Sequence, residues 1–117
     1  MSTKPNDDVV VLITREGMGN AAPELAMKLV TTYLTLLMEN GSLPKAICFY
    51  TEGVKLVVDD SPVLGLLAKL ESKGVHLIIC QTCLNYYNLR DKVRVGIIGG
   101  MGDILAAMAL AGKVITI

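Results

Sequence analysis

Apolar residues along the chain fall in two patterns, and their alternation sets the expected architecture. Val9-Val10-Val11-Leu12-Ile13 is a continuous β-branched run, as expected of a strand buried on both faces. Ala46 to Tyr50 and Val75 to Ile79 repeat it, Val114 to Ile117 closes the chain in the same way, and Val93 to Ile98 reads as a further strand or an extended segment. Between these runs the apolar positions take helical spacing. Leu25, Leu29, Tyr33, Leu36 and Leu37 follow Pro23, which suits a first helical turn, and Asn40-Gly41 marks the stop. Val63, Leu66, Leu67 and Leu70 share one face of a second helix, with Ser61 as its expected cap, Pro62 at its first position and Lys73-Gly74 at its end. Thr82 to Arg90 read as a short helix. Asp103 to Leu110 read as the last one, with Asp103 well placed near its N-terminus. Val54 to Val58 fits either a short strand or an ordered loop. Strand and helix in alternation predict an α/β fold, a mostly parallel sheet with helices on both faces. Without repeats, low-complexity segments or a linker, a single domain over 1–117 is expected, with residues 1–7 flexible.

Composition narrows the partners. The 117 residues suffice for one core, and 52% apolar against 19% charged residues is too hydrophobic for disorder. Eleven basic and eleven acidic side chains cancel, which removes any electrostatic reason to bind nucleic acid or an anionic membrane. Neutrality also gives weak colloidal protection, so a homo-oligomer is expected. No stretch is long enough to span a bilayer, and the polar start of the chain lacks a signal-peptide core. The expected location is therefore the cytoplasm, where thiols stay reduced unless their chemistry uses oxidation.

In an open α/β sheet, ligands bind beyond the carboxyl ends of the strands. The segments that matter are then Thr14 to Asn20, Tyr50 to Gly53, Cys80 to Leu84 and Gly99 to Gly102. One carries an obvious reactive group, Cys80-Gln81-Thr82-Cys83, where a strand gives way to a helix. A thiol near a helix N-terminus faces unpaired N–H groups and the positive end of the macrodipole, so a lowered pKa is expected at Cys83. Cys80 ends the strand, where its side chain can still point into the core. The third cysteine, Cys48, and His76 sit within apolar runs and read as core or near-core packing. Neither completes a four-ligand zinc set, so no metal is expected. The thioredoxin arrangement fits poorly, because there the first cysteine starts the helix, but a dithiol–disulfide couple remains open. Gly17 and Gly19 form an incomplete GxG followed by Ala22 in place of a third glycine, which reads as a tight turn rather than a phosphate cradle. No cofactor is expected.

Cys80-Gln81-Thr82-Cys83-Leu84-Asn85-Tyr86-Tyr87-Asn88-Leu89 resembles the Cys-Gly-Thr-Cys-Leu-x-x-Tyr-x-Leu stretch of DsrE/DsrF-like proteins, most nearly the C-terminal domain of the YedF type, the sulfurtransferase-like selenium metabolism proteins. Tyr50-Thr51-Glu52-Gly53-Val54-Lys55-Leu56 is similar to the family's Tyr-x-x-Gly-Val-Lys-Leu, Ser61-Pro62-Val63-Leu64 to its helix opening, and Val95-Gly96 with Asp103-Ile104 to its final segment. Gln81 stands where glycine is usual, and Gly99-Gly100-Met101-Gly102 replaces a more polar turn. The resemblance implies a three-layer α/β/α fold with a five-stranded parallel sheet, assembly into oligomers, and a persulfide-carrying cysteine that corresponds to Cys83. Without a preceding TusA-like domain, separate donor and acceptor proteins are expected, a TusA-like protein being one candidate.

The expected function is thus a sulfur relay through Cys83 and Cys80. Substrate contacts are expected from Thr82 and from the loops at the same sheet edge: Gly17 and Met18, Gly53, and Gly100 and Met101. The alternatives are a redox protein cycling Cys80 and Cys83, and a non-catalytic oligomeric ligand-binding module. Slow alkylation of the native thiols would favour the last.

Overall fold

The computed structural model describes residues 8–117, so the segment 1–7, expected to be flexible, lies outside the described residues. The β-branched run forms β1 (Val9–Ile13), buried at every position. It pairs in parallel with β2 (Ala46–Phe49) on one side and β5 (Lys113–Thr116) on the other. Strand β3 (His76–Cys80) pairs with β2, and β4 (Ile97–Gly99) with β3. The result is a five-stranded, wholly parallel sheet in the order β4-β3-β2-β1-β5, as the alternating pattern predicts.

Strand order dictates the layers. The steps β1 to β2 and β2 to β3 move the same way across the sheet. Right-handed crossovers therefore place α1 (Pro23–Glu39) and α2 (Leu64–Ser72) on one face, where they touch each other. The return from β4 to β5 runs the other way, which puts its helix α4 (Met101–Leu110) on the opposite face. Among the described residues, that face has only this ten-residue helix to cover five strands. The α1/α2 layer seals a core around Phe49, Leu34, Ile47 and Leu67. Under α4 the sheet is less protected: Val10, Ala46 and His76 share one register row and line, with Ala107 and Leu110, a cavity of about 290 Å³. His76 is exposed, so the expectation of core packing fails for it. It occupies the first position of β3, on the face that α4 leaves partly open.

Several boundaries move for local reasons. Both α1 and α2 end in reciprocal backbone bonds, Ser42 N–H to Leu37 O and Val75 N–H to Leu70 O, as the Asn40-Gly41 and Lys73-Gly74 pairs predict. Helix α2 opens at Leu64 rather than Pro62. The Ser61 hydroxyl accepts the Val63 N–H at 3.3 Å in a turn that precedes the helix. Thr51–Val57 is a 3₁₀ turn with Val54, Leu56 and Val57 buried, and Val58 then bridges Val93. The short helix α3 (Gln81–Tyr86) stops well before Arg90. Strand β4 is shorter than Val93 to Ile98, since Gly96 turns through φ 85° before it. Helix α4 starts at Met101 instead of Asp103, because the Asp103 carboxylate accepts the Gly100 N–H at 2.9 Å and caps it.

Candidate functional site

The carboxyl ends of β1, β2 and β3 meet around one sulfur atom. Beyond β2, the Tyr50 N–H donates to Ile13 O at 3.2 Å, which ties the end of β2 to β1. Thr51 then takes a left-handed conformation, φ 49°. For a β-branched residue this costs about 1–3 kcal/mol and persists only where its surroundings enforce it. The Thr51 hydroxyl donates to the Thr14 carbonyl oxygen at 2.5 Å, with the Tyr50 carbonyl oxygen as a second acceptor at 2.7 Å. Two residues on, Gly53 presses against β1 so closely that a Cβ would stand 2.0 Å from the Ile13 carbonyl oxygen. These contacts aim the Thr51 N–H outward, and it donates to Cys83 Sγ at 3.0 Å.

Cys83 is the third residue of α3, and Cys80 is both the last residue of β3 and the N-cap of that helix. All three cysteines are free thiols; Cys48 and Cys80 are buried and Cys83 is partly exposed. The expected fall in the Cys83 pKa is not found. Partial burial pushes the thiol above its ordinary value, the Thr51 N–H pulls it down, and the Cys80 thiol adds to the rise by hydrogen bonding and charge. Cys83 is thus an accessible thiol whose partial burial disfavours the thiolate, with one N–H already directed at its sulfur. Cys48 differs: full burial on β2 raises its pKa from an ordinary 9.0 to about 11, which makes it inert packing.

Against this geometry, the profile of the DsrE/DsrF-like family matches residues 7–117. The chain belongs to the DsrE/DsrF-like family. Its fold is shared with a protein of unknown function from Methanobacterium thermoautotrophicum, at 20% identity and TM-score 0.71 over 96% of this chain and 100% of that one. The ychN protein of E. coli gives 15% identity and TM-score 0.70 over 94% and 99% of the two chains. A conserved protein of unknown function from Bacteroides thetaiotaomicron gives 18% and 0.62 over 94% and 95%. No curated protein matches the chain.

In this DsrE/DsrF-like chain the residues singled out from sequence divide into two groups. Cys80, Cys83 and the Gly53 turn converge. Thr82 is exposed beside Cys83. Gly17 is buried against α1, where a Cβ would stand 2.6 Å from Ala26 Cβ, and the Met18 N–H donates to Ala26 O at 3.0 Å. These two residues thus fasten the 14–20 loop to α1. Gly100 and Met101 stand at the start of α4, next to the strand end whose Gly99 is in register with Cys80. Cavities of about 390 and 290 Å³ lie at this edge, near Lys55 and Tyr87 and near Arg15 and Glu52, but Cys83 lines neither. Lys55 is engaged elsewhere, 4.7 Å over the Tyr87 ring. Thr51 is the residue that sequence reading missed. Sequence places it in a strand-end loop, but its left-handed turn comes from contacts with β1, which no local pattern encodes. Among the described residues, no group of three or more His, Cys, Asp or Glu side chains is placed to hold a metal ion, and no helix is long and apolar enough to cross a membrane.

Proposed function

We propose that this protein is a sulfur carrier that holds sulfane sulfur as a persulfide on Cys83. The observation that carries the reading is the partly exposed Cys83 sulfur, at a strand end, accepting the Thr51 N–H at 3.0 Å. Membership of the DsrE/DsrF-like family supports it, as does the likeness of Cys80 to Leu89 to the YedF type. In the first step the Cys83 thiolate attacks the outer sulfur of a donor persulfide, R–S–SH. A sulfur–sulfur bond forms to Cys83 while the donor's own sulfur–sulfur bond breaks, and R–S⁻ leaves. In the second step an acceptor thiolate attacks the outer sulfur of Cys83–S–SH and regenerates the Cys83 thiolate. No external oxidant or reductant is needed, since each sulfur–sulfur bond broken is matched by one formed. The Thr51 N–H is suited to holding the anion at Cys83 in either state.

The carrier acts in the cytoplasm and draws on donor and acceptor proteins, a TusA-like protein among them. It assembles as a homo-oligomer through the open face of the sheet. Thr82 and the 99–102 turn border the approach to the sulfur. The closeness of Cys80, which bears on the titration of Cys83, favours a second reading in which the pair cycles between dithiol and disulfide. Sulfur transfer from a persulfide donor to an acceptor thiol separates the two. Carrier chemistry requires that Cys83→Ser abolish transfer and Cys80→Ser leave most of it. If Cys80→Ser is as inactive as Cys83→Ser, the dithiol reading replaces the carrier.

A further inference from the structure

Residue 51 is a threonine where the backbone asks for glycine. At φ 49° glycine would sit without strain, and a β-branched side chain is an outlier. What threonine adds is a hydroxyl, and both of its contacts are to carbonyl oxygens that bracket the same peptide. One is Tyr50 O, on the peptide unit that carries the Thr51 N–H, and the other is Thr14 O at the end of β1. The Gly53 N–H also donates to Tyr50 O, at 3.0 Å, so this carbonyl is held from two sides. We propose that Thr51 is a positioning residue for Cys83, its anchored hydroxyl locking the backbone turn that aims the Thr51 N–H at the Cys83 sulfur. Its functional meaning rests on the carrier reading above; its physical content, the reactivity of one thiol, does not.

Other charges do not supply the same control. The ionisable groups on the elements packed against α3 are Glu52 and Lys55 on the 51–57 turn, His76 and Cys80 on β3, and Arg90, Asp91 and Lys92 on the turn that follows. Tyr86 and Tyr87 follow Cys83 in the chain. Of these, Cys80 alone acts on Cys83, and it opposes ionisation. Burial is the larger effect and opposes the anion; the Thr51 N–H, 3.0 Å from the sulfur, is the contact that favours it, so its aim modulates how readily the sulfur ionises.

The test is the rate of Cys83 alkylation by iodoacetamide against pH, read by peptide mass spectrometry on the full chain, for the parent, Thr51→Ser and Thr51→Gly. Thr51→Ser keeps the hydroxyl and is expected to keep the parent profile. Thr51→Gly keeps the N–H but frees the turn, and is expected to slow alkylation at neutral pH by about tenfold, the worth of a modest hydrogen bond to a charged group, with the same limiting rate at high pH. If Thr51→Gly loses its circular dichroism signature, Thr51→Ala, which also lacks the hydroxyl, is expected to show the same displacement. A hydroxyl-free variant with the parent profile, or Thr51→Ser behaving like Thr51→Gly, overturns the proposal. Failure of the parent to accept sulfur from a persulfide donor would instead remove the carrier reading and leave these profiles untouched.

Discussion

Cys48 and Cys83 are the same side chain in opposite circumstances, and pH separates them. Burial pushes the Cys48 thiol up to about 11 in the folded protein, because ionisation would place a charge in the interior of the sheet. Since its pKa is raised on folding, its stabilising effect is complete below about pH 9 and is lost as pH rises toward 11. Urea denaturation across that range should show the parent losing stability faster than Cys48→Ala, and equal slopes would contradict the burial argument. Cys83 is also raised, but it is reachable, so its reaction with a persulfide donor should accelerate as pH rises from neutrality through its thiol range. A stopped-flow rate that is flat over that range would contradict a resting thiol. Gly53 has a steric role at the same site. Gly53→Ala would force a Cβ to within 2.0 Å of Ile13 O and is expected to cost about 2–4 kcal/mol by chemical denaturation, with loss of the Thr51 N–H contact. At this scale the placement of Cys83 was legible in the sequence, because CxxC falls where a β-branched run ends and a helix begins. The direction of its pKa was not. Helix polarity is a local property that sequence shows, whereas the burial that outweighs it arises from the whole fold.

Elements were legible to the extent that their causes are local. Strands β1, β2 and β3 follow from continuous apolar runs, and the ends of α1 and α2 follow from the Asn40-Gly41 and Lys73-Gly74 pairs. The misread elements depend on distant partners. The 51–57 turn takes its shape from β1, and Val93 leaves the expected fourth strand to bridge Val58. Helix α4 shows how unevenly one element can be held. Ile104 is fully buried beneath it, while Leu105 is 63% exposed. Ile104→Ala is expected to cost about 2–5 kcal/mol by the lost transfer energy and the cavity left behind. Leu105→Ala should stay within about 0.5 kcal/mol of the parent. Equal costs in guanidinium melts would mean that α4 is not seated through Ile104.

For the whole molecule, topology leaves one sheet face with a single helix, and apolar surface remains there. Ile97 on β4 is 66% exposed, Leu105 and Leu110 on α4 are 63% and 83% exposed, and Val114 on β5, at the opposite edge of the sheet, is 40% exposed. A chain of net charge zero has little repulsion to keep such faces apart. If this apolar face drives self-association, Leu110→Lys is expected to lower the assembled fraction in sedimentation velocity while leaving Cys83 alkylation at the parent rate; an unchanged mass distribution would contradict assembly through this face. The general α/β plan was readable from alternation alone. The thinness of the second layer was not, because it depends on strand order rather than on any segment. All of this scaffold serves the claim that Cys83 carries sulfur, and the most direct measurement is the mass of the Cys83 peptide after incubation with a persulfide donor and removal of excess reagent. The account predicts the addition of one sulfur atom on Cys83, absent in Cys83→Ser and reversed by an acceptor thiol. An unmodified Cys83 peptide, under conditions that load a known carrier, would contradict it.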